Sequence, residues 1–286
     1  MRIIHSVREM REQAREWRKE GRGAALVPTM GFLHEGHLSL ARLAREAAEV
    51  VVMSIFVNPA QFGPREDFAA YPKDWERDCR LAESCGVDCL FAPSAAEMYP
   101  EGYNTFVEVG GLDKYLCGAS RPGHFRGVAT VVNKLFNIVQ PQAAVFGQKD
   151  GQQAAVLQKI TEDLNLPVRI IIAPIVREAD GLAMSSRNVY LNAEERKQAV
   201  CLFQALSLGK SMIEAGERDA DLVRRAMREK ILEAPLAKID YVEVVHEKEL
   251  FPLRSIDAPA MLAAAVFFGK ARLIDNVTVR PVSRAK

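Results

Sequence analysis

Two histidines three residues apart, in the run His34-Glu35-Gly36-His37, are the sharpest chemical signal in this sequence. Near neutral pH an imidazole offers one ring N–H as a donor and one ring nitrogen as an acceptor. The pair follows a short apolar stretch that ends in Pro28-Thr29-Met30-Gly31, and it opens an amphipathic one. That order places it at the carboxyl end of a strand and at the start of a helix. Ligands of α/β sheets bind in that position. The free N–H groups and positive dipole end of a helix N-terminus suit a phosphate. Gly36 has no side chain, so a flat base can approach the backbone there. The same four residues also fit two exposed loop histidines, or a metal pair for which no third ligand is evident nearby.

Other polar groups recur at the ends of apolar runs. Gln61 and Gln153 carry amides that both donate and accept, as a small ligand with hydroxyls and a carboxylate requires. In Gly147-Gln148-Lys149-Asp150, Lys149 supplies a point charge for phosphate, and Asp150 suits a helix cap or ribose hydroxyls. Met184-Ser185-Ser186-Arg187 offers two hydroxyls and a guanidinium fork suited to phosphate oxygens. Arg121, His124 and Arg126 form a basic cluster in a Gly/Pro-rich segment, read as a mobile flap over the site. There is no G-x-G-x-x-G and no H-E-x-x-H. Gly209-Lys210-Ser211 resembles the end of a phosphate loop, but Gln204 stands where its first glycine belongs, and a helix surface is the better reading.

These groups need a scaffold. Ser6-Val7-Arg8-Glu9 reads as a capping box, with helical spacing through Val7, Met10, Ala14 and Trp17 and a stop at Gly21. Strands are expected at 24–28, 50–57, 87–92, 105–109, 143–146 and 168–173. Helices are expected at 38–48, 75–85, 128–139 and 151–165. This alternation predicts an α/β fold, a Rossmann-like doubly wound parallel sheet. Past residue 175 the pattern changes to helices at 193–215 and 220–232, then strands at 240–245, 261–268 and 277–279. That order predicts a smaller C-terminal α+β domain. The expected division is 1–175, a Rossmann-like nucleotide-binding domain, and 176–286, a smaller domain closing the active site.

The balance of 38 Lys+Arg against 37 Asp+Glu leaves a net charge of +1, which lacks the basic footprint of a nucleic-acid binder. The longest strongly apolar run, 260–269, is too short for a bilayer span of about 20 residues. The N-terminus lacks a signal-peptide core. Five cysteines without C-x-x-C disfavour zinc or a disulfide framework and fit a reducing, cytoplasmic setting.

Taken together, the polar blocks resemble one family. Pro28-Thr29-Met30-Gly31-Phe32-Leu33-His34-Glu35-Gly36-His37 is similar to the signature of the pantoate–β-alanine ligases, within the H-x-G-H nucleotidyltransferases. Asn58-Pro59-Ala60-Gln61-Phe62, Arg121-Pro122-Gly123-His124-Phe125-Arg126-Gly127-Val128, Phe146-Gly147-Gln148-Lys149-Asp150-Gly151-Gln152-Gln153, and the run from Arg177-Glu178-Ala179-Asp180-Gly181 to Ser186-Arg187-Asn188 follow in family order. Tyr241-Val242-Glu243-Val244 and Asp275-Asn276-Val277 also look like the family.

The resemblance implies an ATP-dependent ligation of pantoate with β-alanine through pantoyl adenylate, releasing AMP and pyrophosphate. It implies ATP contacts from Met30, Gly31, Phe32, Leu33, His34, Glu35, Gly36, His37, Gly147, Gln148, Lys149, Asp150, Val176, Met184, Ser185, Ser186 and Arg187. Pantoate falls to Gln61 and Gln153, and β-alanine to Gln61. His37, His34, Lys149 and Arg187 are the catalytic candidates. The resemblance gives His37 a proton-donor role, whereas the chemistry of the first step favours hydrogen bonding to phosphate. Mg²⁺ bridging the ATP phosphates and a homodimer are implied as well. Rival readings are a simpler nucleotidyltransferase, an amino-acid activator, a non-catalytic nucleotide binder, and a metallohydrolase built on His34 and His37.

Overall fold

The structure, a computed structural model, describes residues 1–64 and 66–281. In chain order its elements are β1 (Arg2–Ile4), α1 (Val7–Lys19), β2 (Ala24–Thr29), α2 (Glu35–Ala47), β3 (Val50–Ile55), α3 (Trp75–Ser84), β4 (Cys89–Phe91), α4 (Ala95–Met98), α5 (Leu116–Ser120), α6 (His124–Val139), β5 (Ala143–Gly147), α7 (Gly151–Asp163) and β6 (Arg169–Ala173). There follow α8 (Ala193–Gln198), α9 (Cys201–Glu214), α10 (Ala220–Leu232), β7 (Lys238–His246), β8 (Ala260–Phe268) and β9 (Ala271–Val279). Two compact units emerge: Met1–Gly110 with Arg121–Gln148 and Val156–Pro174, and Gly111–Ser120 with Lys149–Ala155 and the described residues from Ile175 on.

The first unit is a six-stranded parallel sheet in the order β1-β4-β3-β2-β5-β6. From β2 the chain steps outward through β3 to β4, and β5 then joins the other edge of β2. The strand order therefore reverses between β2 and β5, which opens a crevice at their carboxyl ends. The apolar runs of β2 and β3 are buried, as central parallel strands are. One sheet face packs Val27, Val51 and Met53 against Leu40, Ala41 and Ala44 of α2. α1 starts at the Ser6 cap, whose hydroxyl accepts the Glu9 N–H, but Glu9 turns to Arg2 instead of closing the box.

The second unit is an antiparallel sheet, β7-β8-β9, under α9 and α10. Leu202, Leu206, Val223, Met227 and Ile231 pack on Leu262, Ala264 and Val266. Segments 111–120 and 149–155 group with this unit. The buried Gln152 amide holds them together: it accepts the Cys117 N–H at 2.8 Å and donates to the carbonyls of Leu112 (2.7 Å) and Tyr115 (2.8 Å).

Several expectations need correction. No strand forms at 105–109, because the Val107 N–H bonds the Thr130 hydroxyl on α6 instead of a neighbouring strand. The helix expected at 193–215 breaks into α8 and α9, where Leu202 N–H bonds the Ala199 carbonyl three residues back. β9 starts six residues before the expected 277, with Arg272, Asp275 and Asn276 as strand residues. The three-residue edge strand β1 carries too short a pattern to read. Gly209 and Lys210 lie inside α9.

Candidate functional site

Thr29 closes β2, where its hydroxyl donates to the Ser54 carbonyl at 2.7 Å and accepts the Gly31 N–H at 3.2 Å. Gly31 (φ +83°) and Phe32 (φ +49°) then reverse the chain. A left-handed conformation costs a non-glycine residue roughly 1–2 kcal/mol. Two neighbours on α3 hold it in place. The Asp78 carboxylate accepts the N–H groups of Phe32 and Leu33, each at 2.7 Å. Arg77 donates to the Leu33 carbonyl at 2.8 Å, with its guanidinium 5.5 Å from the centre of the Phe32 ring. Asp78 is only 2% exposed. Burial raises its pKa, and the two N–H bonds offset only part of that. The helical pattern at 75–85 does not mark Asp78 for this role, because its partners on the turn lie 46 and 45 residues away.

Past this turn the two histidines cap α2 reciprocally. His34 Nδ1 accepts the Gly36 N–H at 3.2 Å, and His37 Nδ1 accepts the His34 N–H at 3.3 Å. Their ring centres lie 4.1 Å apart. Because both Nδ1 atoms accept, the neutral rings carry their protons on Nε2. Histidines here do work usually left to Ser, Thr, Asp or Asn. Glu35 is exposed and ion-paired with Arg42.

Gln61 ends a 3₁₀ turn, Pro59–Gln61. Its Oε1 accepts from Asn58 Nδ2 at 3.0 Å, and its Nε2 lies 3.2 Å from Met30 Sδ. Asn58, 1% exposed, also donates to the Gly127 carbonyl (3.1 Å) and accepts from the Tyr99 hydroxyl (2.7 Å). Thus Met30, Gln61 and the histidine-led helix belong to the first unit, with Gly147 and Gln148 at the end of β5.

The segment expected to be a basic flap is tied down and largely neutralised. Arg121 pairs with both oxygens of Glu66, at 2.6 and 2.7 Å. Burial pushes the Glu66 carboxyl up, but the Arg121 bond and charge and the Gly63 N–H outweigh it and hold the pKa at about 2. His124 Nδ1 lies 2.8 Å from the Gln61 carbonyl oxygen and begins α6. Arg126 stacks on Phe106 and reaches Glu108. This block supports the Gln61 turn.

The second unit holds the other candidates. Lys149 lies 4.0 Å from Asp150 and is mostly buried, and Gln153 sits half-buried in the first turns of α7. Residues 176–184 fold back on themselves: Met184 N–H bonds the Val176 carbonyl at 3.0 Å, and Arg177 bridges Ala183. Ser185 caps a 3₁₀ turn, Ser186–Tyr190, by accepting the Arg187 N–H at 3.2 Å. Asn188 braces that turn through Glu178 and the Ala183 carbonyl, both at 3.2 Å. Two residues from β9 also reach these segments. Asp275, 3% exposed, takes both Arg177 nitrogens, at 2.7 and 3.0 Å. Asn276 donates to the Lys149 carbonyl at 2.9 Å. The Asp-Asn pair was visible in the sequence, but its contacts were not. Burial pushes the thiols of Cys89 and Cys201 up to about 12, so neither is a nucleophile near neutral pH.

A parallel sheet with a polar helix N-terminus at its switch point is the framework of an α/β nucleotide-binding enzyme. The sequence model of the pantoate-beta-alanine ligases matches residues 2–278. Pantothenate synthetase of Heliobacterium modesticaldum is 60% identical over 279 residues, 98% of this chain and 99% of its own. That of Moorella thermoacetica is 57% identical over the same shares. The crystal structure of the Thermus thermophilus enzyme superposes with a TM-score of 0.93 at 47% identity, covering 98% of this chain and 100% of that one. The Francisella tularensis pantoate-beta-alanine ligase, complexed with beta-gamma ATP and beta-alanine, has a TM-score of 0.81 at 31% identity, covering 97% of each. The chain belongs to the pantoate–β-alanine ligase family, AMP-forming enzymes that join pantoate to β-alanine through a pantoyl adenylate.

Proposed function

We propose that this chain makes pantothenate in two steps and that the residues singled out above carry them. The observation that carries the reading is the reciprocal His34–His37 cap at the carboxyl end of β2, beside the strand-order reversal. In the first step the pantoate carboxylate attacks the α-phosphorus of ATP, a P–O bond forms, and pyrophosphate leaves with the electron pair. In the second, the β-alanine amine attacks the acyl carbon, AMP leaves, and the amine loses a proton.

Negative charge gathers on the α-phosphate and the leaving pyrophosphate, and fixed positive groups lower that barrier. His34 and His37 donate from Nε2 to phosphate oxygens, which agrees with Nδ1 being occupied by the helix cap. Lys149 and Arg187 supply charge, and the Ser185 and Ser186 loop supplies hydroxyl and backbone donors. Met30 to Leu33, Gly36, Gly147, Gln148, Asp150 and Met184 line the nucleotide, with the Val176 backbone at adenine. Glu35, exposed and paired with Arg42, contributes through its backbone. Gln61 and Gln153 hold pantoate, and Gln61 also meets β-alanine.

Mg²⁺ supplies charge neutralisation at the ATP phosphates. Among the described residues no three His, Cys, Asp or Glu groups cluster as a metal cage. A Mg²⁺ bound mainly by phosphate and water needs only one or two carboxylates, and the partly exposed Asp150 beside Lys149 fits that need. The +1 charge supports small anionic substrates over nucleic acid. No helix among the described residues is long and apolar enough to cross a membrane. A cytoplasmic homodimer completes the reading.

The test supplies pantoate, β-alanine, ATP and Mg²⁺ and measures products. AMP and pyrophosphate formed only with pantoate present, and pantothenate only with both acids, are expected. ADP and phosphate would overturn the adenylate route.

A further inference from the structure

We infer that Asp275 and Asn276, consecutive residues of β9, are positioning residues for the nucleotide site, each fixing one ATP-contacting segment from an opposite face of the strand. The inference rests on the proposed role of Lys149 and the 176–187 loop in holding ATP.

Successive residues of a strand point to opposite faces. Leu273 and Val279 lie in the core under α9 and α10, so Asp275 shares their face. On that face its carboxylate grips Arg177 with two parallel bonds, at 2.7 and 3.0 Å. Arg177 also donates to the Gly181 carbonyl at 3.0 Å and stacks 4.5 Å from the centre of the Phe203 ring on α9. These contacts close the hairpin that leads into Ser185–Arg187. On the opposite face the Asn276 amide donates to the Lys149 carbonyl at 2.9 Å. The Asp275 carboxylate also accepts the Asn276 N–H, at 2.8 Å. Opposite them on β8 stand Ala264 and Ala263. Small neighbours leave room for two polar side chains, both buried although β9 is an edge strand of its sheet.

A polar pair in that place is costly unless each member has a task. Burial raises the Asp275 pKa, and Arg177 is the main group opposing the rise. Apolar residues fill comparable strand positions at less cost. Their side chains give neither a donor to Lys149 nor an anchor to Arg177.

The effect must then be specific to ATP. Asn276→Ala is expected to raise KM for ATP about tenfold, the worth of one buried hydrogen bond, and to leave KM for pantoate unchanged. Arg177→Lys keeps the charge but loses the fork, and it should shift KM for ATP in the same direction. Leu273→Ala, a core truncation in the same strand, should lower Tm as much or more without moving KM for ATP. The decisive measurement is a double-mutant cycle read by pantoate-dependent ATP–pyrophosphate exchange. In a Lys149→Ala background, Asn276→Ala should have no further effect on KM for ATP. Full additivity, or equal shifts in ATP and pantoate KM, would reduce Asn276 to ordinary packing and overturn the inference. If Lys149→Ala itself leaves exchange intact, the underlying site assignment fails instead.

Discussion

Gly127 lies so close to Ala60 that a Cβ on it would stand 2.1 Å from the Ala60 carbonyl oxygen. α6 therefore packs directly on the turn that carries Gln61, and Asn58 closes the contact by donating to the Gly127 carbonyl.

Gly127→Ala is therefore expected to force the two backbones apart. It should destabilise the protein by about 1–3 kcal/mol, the usual range for overpacking. Because the displaced turn carries Gln61, KM for pantoate should rise while KM for ATP stays near its original value. Urea unfolding and steady-state kinetics check both, and unchanged pantoate kinetics in a destabilised protein would separate the turn from pantoate.

His37→Ala removes a ring that both caps α2 and is assigned to phosphate. A loss of about 10²-fold or more in the adenylation rate is expected, as for other donors aimed at developing charge. A cap costs only about 1 kcal/mol, so the protein should remain folded. Exchange near the unmodified rate would take His37 out of the site.

Asp78→Asn keeps the shape of the side chain but replaces one acceptor with an NH₂ group. Either Phe32 or Leu33 then faces a donor, and a buried N–H without an acceptor costs about 1–3 kcal/mol. The left-handed Phe32 turn should relax, and adenylation should fall about 10-fold or more. Amide hydrogen exchange at Phe32 and Leu33 should speed up together; slow exchange in the variant would contradict the clamp.

Glu66 gives a prediction in pH. Its folded pKa is held at about 2 by Arg121, below the value of about 4.3 in an unfolded chain. The pair thus stabilises the fold above about pH 4.3, and its contribution fades as the pH falls from there towards 2. Discounted for solvent screening, that contribution is about 1 kcal/mol. Acid titration of stability in Glu66→Gln should lack this component, and identical acid curves would show the pair contributes nothing.

The sheet was legible because β2 and β3 are continuous apolar runs, and the site motifs because polar residues cluster where those runs end. What stayed hidden were partners distant in sequence. Nothing near Phe32 announces that Asp78 will hold it, since only folding brings α3 beside that turn. Arg121 and His124 read as loose cations because Glu66 and the Gln61 carbonyl, their partners, lie more than fifty residues away. Residues 105–109 carry a strand-like pattern, but Thr130 takes the Val107 N–H. Gln152 and Gln153 look alike in the sequence, yet the first is consumed in holding the 111–120 segment.

The strand reversal at β2 has a temporal consequence. The crevice needs β5, and Ala143 pairs with Ala25 only after well over a hundred intervening residues have been made. Contacts so far apart in sequence form slowly and late. A chain emerging from the ribosome would have its histidine-capped helix early, but the second wall of the crevice only after β5 docks. ATP would then recognise a finished sheet, not a nascent one, and ATP protection against proteolysis would report completion of folding.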